Sequence, residues 1–168
     1  MKTSINFKVA KSDSESHKFR KKSFDYIRKD LTHKNEYWME QKIADRLLKI
    51  EAFCKEKSGR KLQKNAMPIR EAVVVIKENT TMQDLHNLSK RLEEELKIRI
   101  FQIAIHKDEG HYDKDTKEWK PNYHAHLVAD WQDLQTGKTL KHQSFHYSKM
   151  QDLAAECLGM ERGISGSL

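Results

Sequence analysis

The sequence predicts an α+β domain, a largely antiparallel central sheet of about five strands with flanking helices. Three observations carry this expectation. Short segments of alternating or continuous β-branched residues read as strands, and longer segments whose apolar residues step by three and four read as helices. The two kinds interleave along the chain, and residues 98–106 and 122–131 read as antiparallel neighbours. At 168 residues the chain is one domain, 1–168, long enough to bury a core.

In chain order, Ile5, Phe7 and Val9 alternate with Asn6 and Lys8, a first strand ended by the turn-forming residues Ser12 to Ser16. A basic stretch holding Arg20, Lys21, Lys22, Arg28 and Lys29 follows, and residues 31–36 read as irregular. From about Tyr37 to Lys57, the residues Met39, Ile43, Leu47, Ile50 and Cys54 form one face of a long amphipathic helix. Gly59 stands near its end, and residues 58–68 make a basic connection. The run AVVVI at 72–76 reads as a central strand buried on both faces.

Thr81 and Asp84 form a capping box ahead of a helix with the stripe Leu85, Leu88, Leu92 and Leu96. Residues 98–106 form a strand with Phe101, Ile103 and Ile105 toward the core and Gln102, Ala104 and His106 on the other side. A long polar loop leads to the strand at 122–131. The turn 135–138 precedes a short strand at about 139–144. A last helix, 148–158, carries Met150, Leu153, Ala154 and Cys157 and stops at Gly159. The ending ERGISGSL closes no structural element, so a longer protein could continue from it.

The formal net charge of +7 favours a polyanionic partner. Cys54 and Cys157 lack CxxC spacing and read as core residues in a reducing compartment, not as a disulfide framework. No apolar run reaches the length of a membrane span and the N-terminus lacks a signal-peptide segment, so a cytoplasmic protein with no membrane partner is expected.

Chemistry concentrates between Phe101 and Trp131. On a strand, His124 and His126 lie on the same face, about 7 Å apart along the chain, with the small Ala125 on the other. His106 ends the neighbouring strand, with Glu109 three residues later. Three neutral imidazoles can bind Mn²⁺ or a similar divalent ion and leave positions open for a phosphate oxygen. A closed zinc site would want a fourth strong ligand, and neither cysteine is near in sequence. The alternatives are a structural or adventitious metal, or half-exposed histidines on a sheet face. His111, in the loop beside Gly110, reads as exposed. The loop also mixes Tyr112, Lys114, Lys117, Trp119 and Lys120, a combination that suits base stacking beside phosphate contacts. Trp119 folded onto the core is the rival reading.

HKDEG followed by PNYHAHLV resembles the HUH motif of plasmid mobilization relaxases, specifically the Mob/Pre (plasmid recombination enzyme) group. His17-Lys18-Phe19-Arg20 is similar to that group's N-terminal His-Asn-x-Arg motif, and Thr32-His33-Lys34-Asn35-Glu36 to its Ser-His-x-Asn-Tyr element. The three motifs occur in the family's order. Lys18 departs from the usual Asn, and the insert between Glu109 and His124 is long.

The resemblance implies an HUH relaxase-like palm and a metal-dependent single-strand DNA endonuclease that acts at a transfer origin for conjugative mobilization. It implies that His106, His124 and His126 bind Mn²⁺ or Mg²⁺ and that Glu109 orients a ligand or the nucleophile. His17 would be the nucleophile and Arg20 would hold it or a phosphate. Lys18, Lys21, Lys22, Asn35, Lys114, Lys117, Trp119 and Lys120 are the candidate DNA contacts. Partners would be single-stranded or hairpin origin DNA and the conjugation coupling machinery. Tyr26 is the rival nucleophile, with Tyr37 and Tyr147 behind it, although Tyr26 can instead pack on the sheet beside Phe24 and Ile27. A rolling-circle replication initiator, a DNA-binding module with a degenerate metal site, and a small metalloprotein with an incidental basic surface are the competing functions.

Overall fold

The computed structural model describes residues 1–10 and 26–163 of the chain. The expectations for residues 12–16, His17, Lys18, Arg20, Lys21, Lys22 and Phe24 lie outside the described residues. The elements in order are β1 (Lys2–Thr3), β2 (Ile5–Val9), a 3₁₀ helix (Lys29–Lys34), β3 (Glu36–Met39), α1 (Ile43–Ser58), β4 (Ile69–Val75) and α2 (Met82–Leu96). Then follow β5 (Arg99–His106), β6 (Gly110–Tyr112), β7 (Trp119–Pro121), β8 (His124–Asp130), α3 (Ser144–Leu158) and β9 (Glu161–Arg162).

The centre is a five-stranded sheet in the order β2-β4-β8-β5-β3, antiparallel at every step. Helices α2 and α3 cover one face. Their Leu85, Leu88, Leu92, Leu96, Leu153 and Ala154 pack on Ile5, Ala72, Val74, Ile103, Ile105, Ala125 and Leu127. Each buried leucine contributes about 2 kcal/mol relative to an exposed one. The Thr81–Asp84 capping box is formed, with each side chain accepting from the other's backbone N–H. Helix α1 covers part of the other face through Ile50, which joins Ile69, Phe101 and Val128. The rest of that face carries the histidines. No helix of the described residues is long and apolar enough to cross a membrane.

Several local expectations are corrected. Helix α1 starts at Ile43, not near Tyr37, because Glu36–Met39 form an edge strand on β5. Tyr37 and Trp38 favour a pleated surface, and Trp38 packs against the core from there. Met39 happens to stand four residues before Ile43, which extended the helical stripe one turn too far. Strand β4 is not buried on both faces: Ala72 and Val74 are fully buried while Val73 is 39% exposed.

Phe101 faces α1 instead of joining Ile103 and Ile105. The β5–β8 register shifts between Ile100 and Gln102, and this bulge inverts the alternation. Residues 139–144 make no strand beyond a single bridge between Thr139 and Gln132, and α3 begins four residues earlier than expected, at Ser144. Glu161 and Arg162 do close an element, pairing in parallel with Lys2 and Thr3. The loop between β5 and β8 is itself a two-stranded ribbon, β6-β7.

Buried charge fixes the end of the sheet remote from the histidines. The Asp130 carboxylate accepts from Arg46 Nε at 2.8 Å, lies 3.0 Å from Arg99 Nη2, and also takes the Gln132 backbone N–H at 2.8 Å. With both oxygens held by donors, the carboxylate is a satisfied buried group.

Candidate metal centre

The site follows from strand register. His106 and His124 are direct cross-strand partners on β5 and β8, and His126 lies one pleat further along β8, opposite Ala104. Strand alternation therefore puts all three imidazoles on one face. Their ring centroids are 4.9 to 5.2 Å apart, and one ligand atom from each lies within 4.8 Å of the others. Ala104 is the small cross-strand partner of His126 on β5, and Ala125 turns to the opposite core. His106 is fully buried and His124 nearly so.

Polar neighbours orient these rings. His124 Nδ1 lies 2.9 Å from the Asn122 carbonyl oxygen. A carbonyl only accepts, so Nδ1 carries the proton and Nε2 presents its lone pair to the cluster. His124 Nε2 lies 3.3 Å from His106 Nδ1. Glu109 Oε2 stands 2.9 Å from His106 Nδ1 and 3.4 Å from His124 Nε2. On the other side, Glu71 Oε1 of β4 is 3.5 Å from His126 Nδ1. Burial lowers the His126 pKa to about 4, opposed by the hydrogen bond to Glu71 and reinforced by the neighbouring His124 and His106. A buried imidazole held neutral near pH 7 is in the protonation state that a metal ligand requires. The donor set, three clustered imidazoles with carboxylates beside them, fits a divalent ion.

The second motif supports this cluster from behind. The Asn35 side-chain oxygen accepts the Lys107 backbone N–H at 2.7 Å, and its amide donates to the Tyr37 hydroxyl at 3.2 Å. Tyr37 in turn places its ring edge-on to His106, with centroids 6.3 Å apart. Thr32 donates to the buried Asp108 carboxylate at 2.8 Å, and Arg28 N–H donates to the Asp108 carbonyl at 2.7 Å. Residues 107–109, the turn carrying Glu109, are thus tied to the 3₁₀ helix and its flanks. Asn35, expected among the DNA contacts, is buried and engaged inside the protein. The physical reason is that the Lys107 N–H follows the end of β5 and needs an acceptor that the sheet does not supply.

Ile27 bridges Glu109, and Gly110 N–H donates to the Tyr26 carbonyl at 3.3 Å, so the chain at Tyr26 runs beside the cluster. The Tyr26 side chain is 44% exposed and does not join the core, whereas Ile27 is buried. Tyr37 lies next to His106, and Tyr147 packs over Trp131 on the face opposite the histidines. His111 is exposed on β6 and stands outside the histidine group.

Lys114, Lys117 and Lys120 are exposed on the β6-β7 ribbon or its tip. Trp119 is half-buried, edge-on to Tyr112 at 5.0 Å and with the Arg28 guanidinium 5.3 Å from its ring centre. It therefore packs within the ribbon and not on the main core. The sequence does not single out Glu71 or Asp108, and it offers Tyr37 only as a rival nucleophile, not as a neighbour that holds His106 and Asn35. Only the β4–β8 and β3–β5 registers, which place Glu71 opposite Val128 and Tyr37 opposite Ala104, bring the first and last of them to the site.

No protein-family model matches the sequence, and no curated protein matches it. Solved structures do. The MobM relaxase domain (MOBV; Mob_Pre), bound to 22-nucleotide plasmid pMV158 oriT DNA in a Mn-bound crystal structure at pH 5.5, aligns with a TM-score of 0.68 and 15% identity. That alignment covers 99% of this chain and 93% of the other. The same domain with 23-nucleotide oriT DNA, Mn-bound at pH 6.5, aligns at 0.62 and 13% identity over 99% and 91% of the two chains. At this identity the likeness establishes architecture, and the chain has the fold of the Mob/Pre relaxase domain, the group that its histidine motifs resemble.

Proposed function

We propose that the chain is a single relaxase domain that nicks one DNA strand at a plasmid or mobile-element transfer origin and stays covalently attached to the 5′-phosphate. The observation that carries this reading is the convergence of His106, His124 and His126 beside Glu109, on a fold shared with a relaxase domain crystallised with manganese and oriT DNA. In this reading the protein acts in the cytoplasm, with origin DNA as substrate and the conjugation coupling machinery as a further partner.

His106, His124 and His126 would hold Mn²⁺ or Mg²⁺, which when bound polarises the phosphoryl oxygens and favours departure of the 3′-oxygen. Glu109 and the Asn122 carbonyl orient the imidazoles, and Glu71 restrains His126. His17 supplies the attacking nitrogen. An imidazole with an ordinary pKa of about 6.5 is largely neutral at pH 7 and attacks without a separate base, unlike a tyrosine with a pKa of about 10. The N–P bond forms as the P–O3′ bond breaks. The products are a 5′-phosphoramidate on the protein and a free 3′-hydroxyl, and the retained bond energy permits rejoining without a nucleotide cofactor.

Chain length supports the approach of His17. It stands nine residues before Tyr26, whose backbone is anchored at Gly110. An extended segment of that length spans up to about 30 Å, so the cluster is within reach. Arg20 would hold the phosphate or the nucleophile, and Lys18, Lys21, Lys22, Lys114, Lys117 and Lys120 would contact the backbone. Trp119 offers a face for base stacking.

The test is cleavage of a randomised single-stranded oligonucleotide pool with Mn²⁺, Mg²⁺ or chelator. Recurrent cut sequences should appear only with divalent metal, and His124→Ala should lower the rate by at least about a hundredfold, the scale of losing metal catalysis. Equal cutting by His124→Ala, or cutting in chelator, would remove the metal centre from the mechanism.

A further inference from the structure

The histidine face stays open toward the β2 edge of the sheet. Ile5 and Phe7 of β2, and Ala72 and Val74 of β4, point into the core under α2 and α3. Alternation therefore turns Asn6 and Lys8, and with them Glu71 and Val73, to the face that carries the histidines. Register sets them in a cross-strand row: Asn6 pairs with Val73, and Val73 pairs with His126. At the spacing of paired strands, Val73 stands about 5 Å from His126 and Asn6 about 10 Å from it. The cluster is closed at His106, which is fully buried, and exposed surface resumes past His126 at Val73, 39% exposed. Asn6 is half-buried, and among the described residues its side chain makes no hydrogen bond.

We infer that Val73 and Asn6 seat and read one base next to the phosphate that is cut. This deepens the proposed function and rests on it. The surface selects a base over a phosphate. Val73 presents only methyl groups, and the Glu71 carboxylate, on the same face two residues away in β4, repels phosphate oxygens. An unstacked base loses contacts that an apolar side chain restores, and its edge needs hydrogen-bond partners. The Asn6 carboxamide supplies both kinds, an acceptor oxygen and a donor NH₂. The edge that takes two simultaneous bonds from a carboxamide is adenine N6 and N7, whereas guanine shows two acceptors there. Adenine is therefore the base expected at this position.

The row differs in kind from the β6-β7 ribbon. Tyr112 and Trp119 offer aromatic faces, and such faces take any base. Lys8, next along β2 on the same face as Asn6, is exposed and offers a charge to the DNA backbone, which carries no sequence information. Discrimination beside the cut would thus come from the Asn6 carboxamide, with Val73 as its floor.

The test uses the full chain and a randomised single-stranded oligonucleotide pool in two arms. Bound molecules are sequenced without metal, and cut molecules are sequenced with Mn²⁺. Wild type should enrich adenine at least about fivefold at one position of its motif, and the cutting arm should place that position within one nucleotide of the break. Asn6→Ala should lose the preference at that position alone, and Asn6→Asp, which only accepts, should move it to cytosine through the N4 donor. Val73→Ala should weaken binding by about fourfold. The control Lys8→Gln should weaken all sequences alike and keep the motif. Thermal unfolding of the Asn6 variants should match wild type, because among the described residues that side chain has no hydrogen bond to lose. A wild-type pool without base preference, an unchanged motif in Asn6→Ala, or a read position two or more nucleotides from the break would overturn the inference. Unchanged affinity in Val73→Ala would remove the seat, and a preference for another base that vanishes in Asn6→Ala would overturn adenine alone. If wild type cuts nothing, the nicking reading fails, and the metal-free arm still decides whether Asn6 reads a base.

Discussion

Replacing Asn35 separates a positioning role from a DNA-contact role. Its side chain accepts the Lys107 N–H at 2.7 Å and donates to Tyr37 at 3.2 Å, next to His106. Asn35→Ala leaves the part-buried Lys107 N–H without its acceptor, a loss of about 1 to 3 kcal/mol. For a domain of this size that lowers the melting temperature by about 2–4 °C per kcal/mol. The same change loosens the turn that carries Glu109, and loss of a supporting hydrogen bond typically weakens metal binding by about 10- to 100-fold. Asn35→Asp keeps an acceptor for Lys107 and should recover most of the stability. The assays are denaturant unfolding of the metal-free protein and calorimetric titration with Mn²⁺. An Asn35→Ala protein with unchanged stability and unchanged Mn²⁺ affinity, yet weakened DNA binding, would refute the positioning argument and return Asn35 to the DNA surface.

Two further outcomes test the surroundings of the site. At Gly110 a Cβ would fall 2.8 Å from Trp119 Cζ2 and against the Lys120 carbonyl, so Gly110→Ala should force β6 and β7 apart at about 1 to 3 kcal/mol; a changed tryptophan emission with normal Mn²⁺ affinity would confirm a ribbon-local effect, and an unchanged spectrum and stability would contradict the packing. The buried His126 has its pKa lowered to about 4, so below about pH 6.5 the unfolded chain takes up a proton that the folded chain refuses. Stability of the metal-free protein should therefore be full above pH 6.5 and fall as pH drops toward 4, by up to about 3 kcal/mol. His126→Gln should flatten that part of the profile, and an identical profile for wild type and variant would disprove the assignment.

The elements that the sequence made legible are those whose evidence is periodic and local. The leucine stripe of α2, the Thr81 cap and the alternation of β8 need no knowledge of partners, and the placement of His124 and His126 on one face follows from alternation alone. His106 joined them because β5 and β8 are neighbours in both sequence and space. What stayed hidden depends on distant pairing. Glu71 reaches His126 only because β4, from a different part of the chain, lies beside β8. The bulge at Phe101 leaves no periodic mark, since every residue of that run is apolar or buried anyway. Strand β3 was absorbed into a helix because four residues are too few for the alternation of Glu36 to Met39 to outweigh a helical stripe that continues after it. Asn35 shows the same limit: its residue type suits both a DNA contact and a backbone clamp, and only the position of Lys107 decides.

The central claim is that the histidine cluster assists attack on DNA by a residue brought in from the N-terminal segment. Its most direct measurement is denaturing-gel isolation of protein–DNA adducts formed on single-stranded DNA with Mn²⁺, followed by mass spectrometry of the modified peptide. The account predicts an adduct on His17 that forms only with divalent metal, disappears in His17→Ala and is cleaved by mild acid as a phosphoramidate. An acid-stable adduct on Tyr26 or Tyr37, or an adduct that forms in chelator, would contradict it.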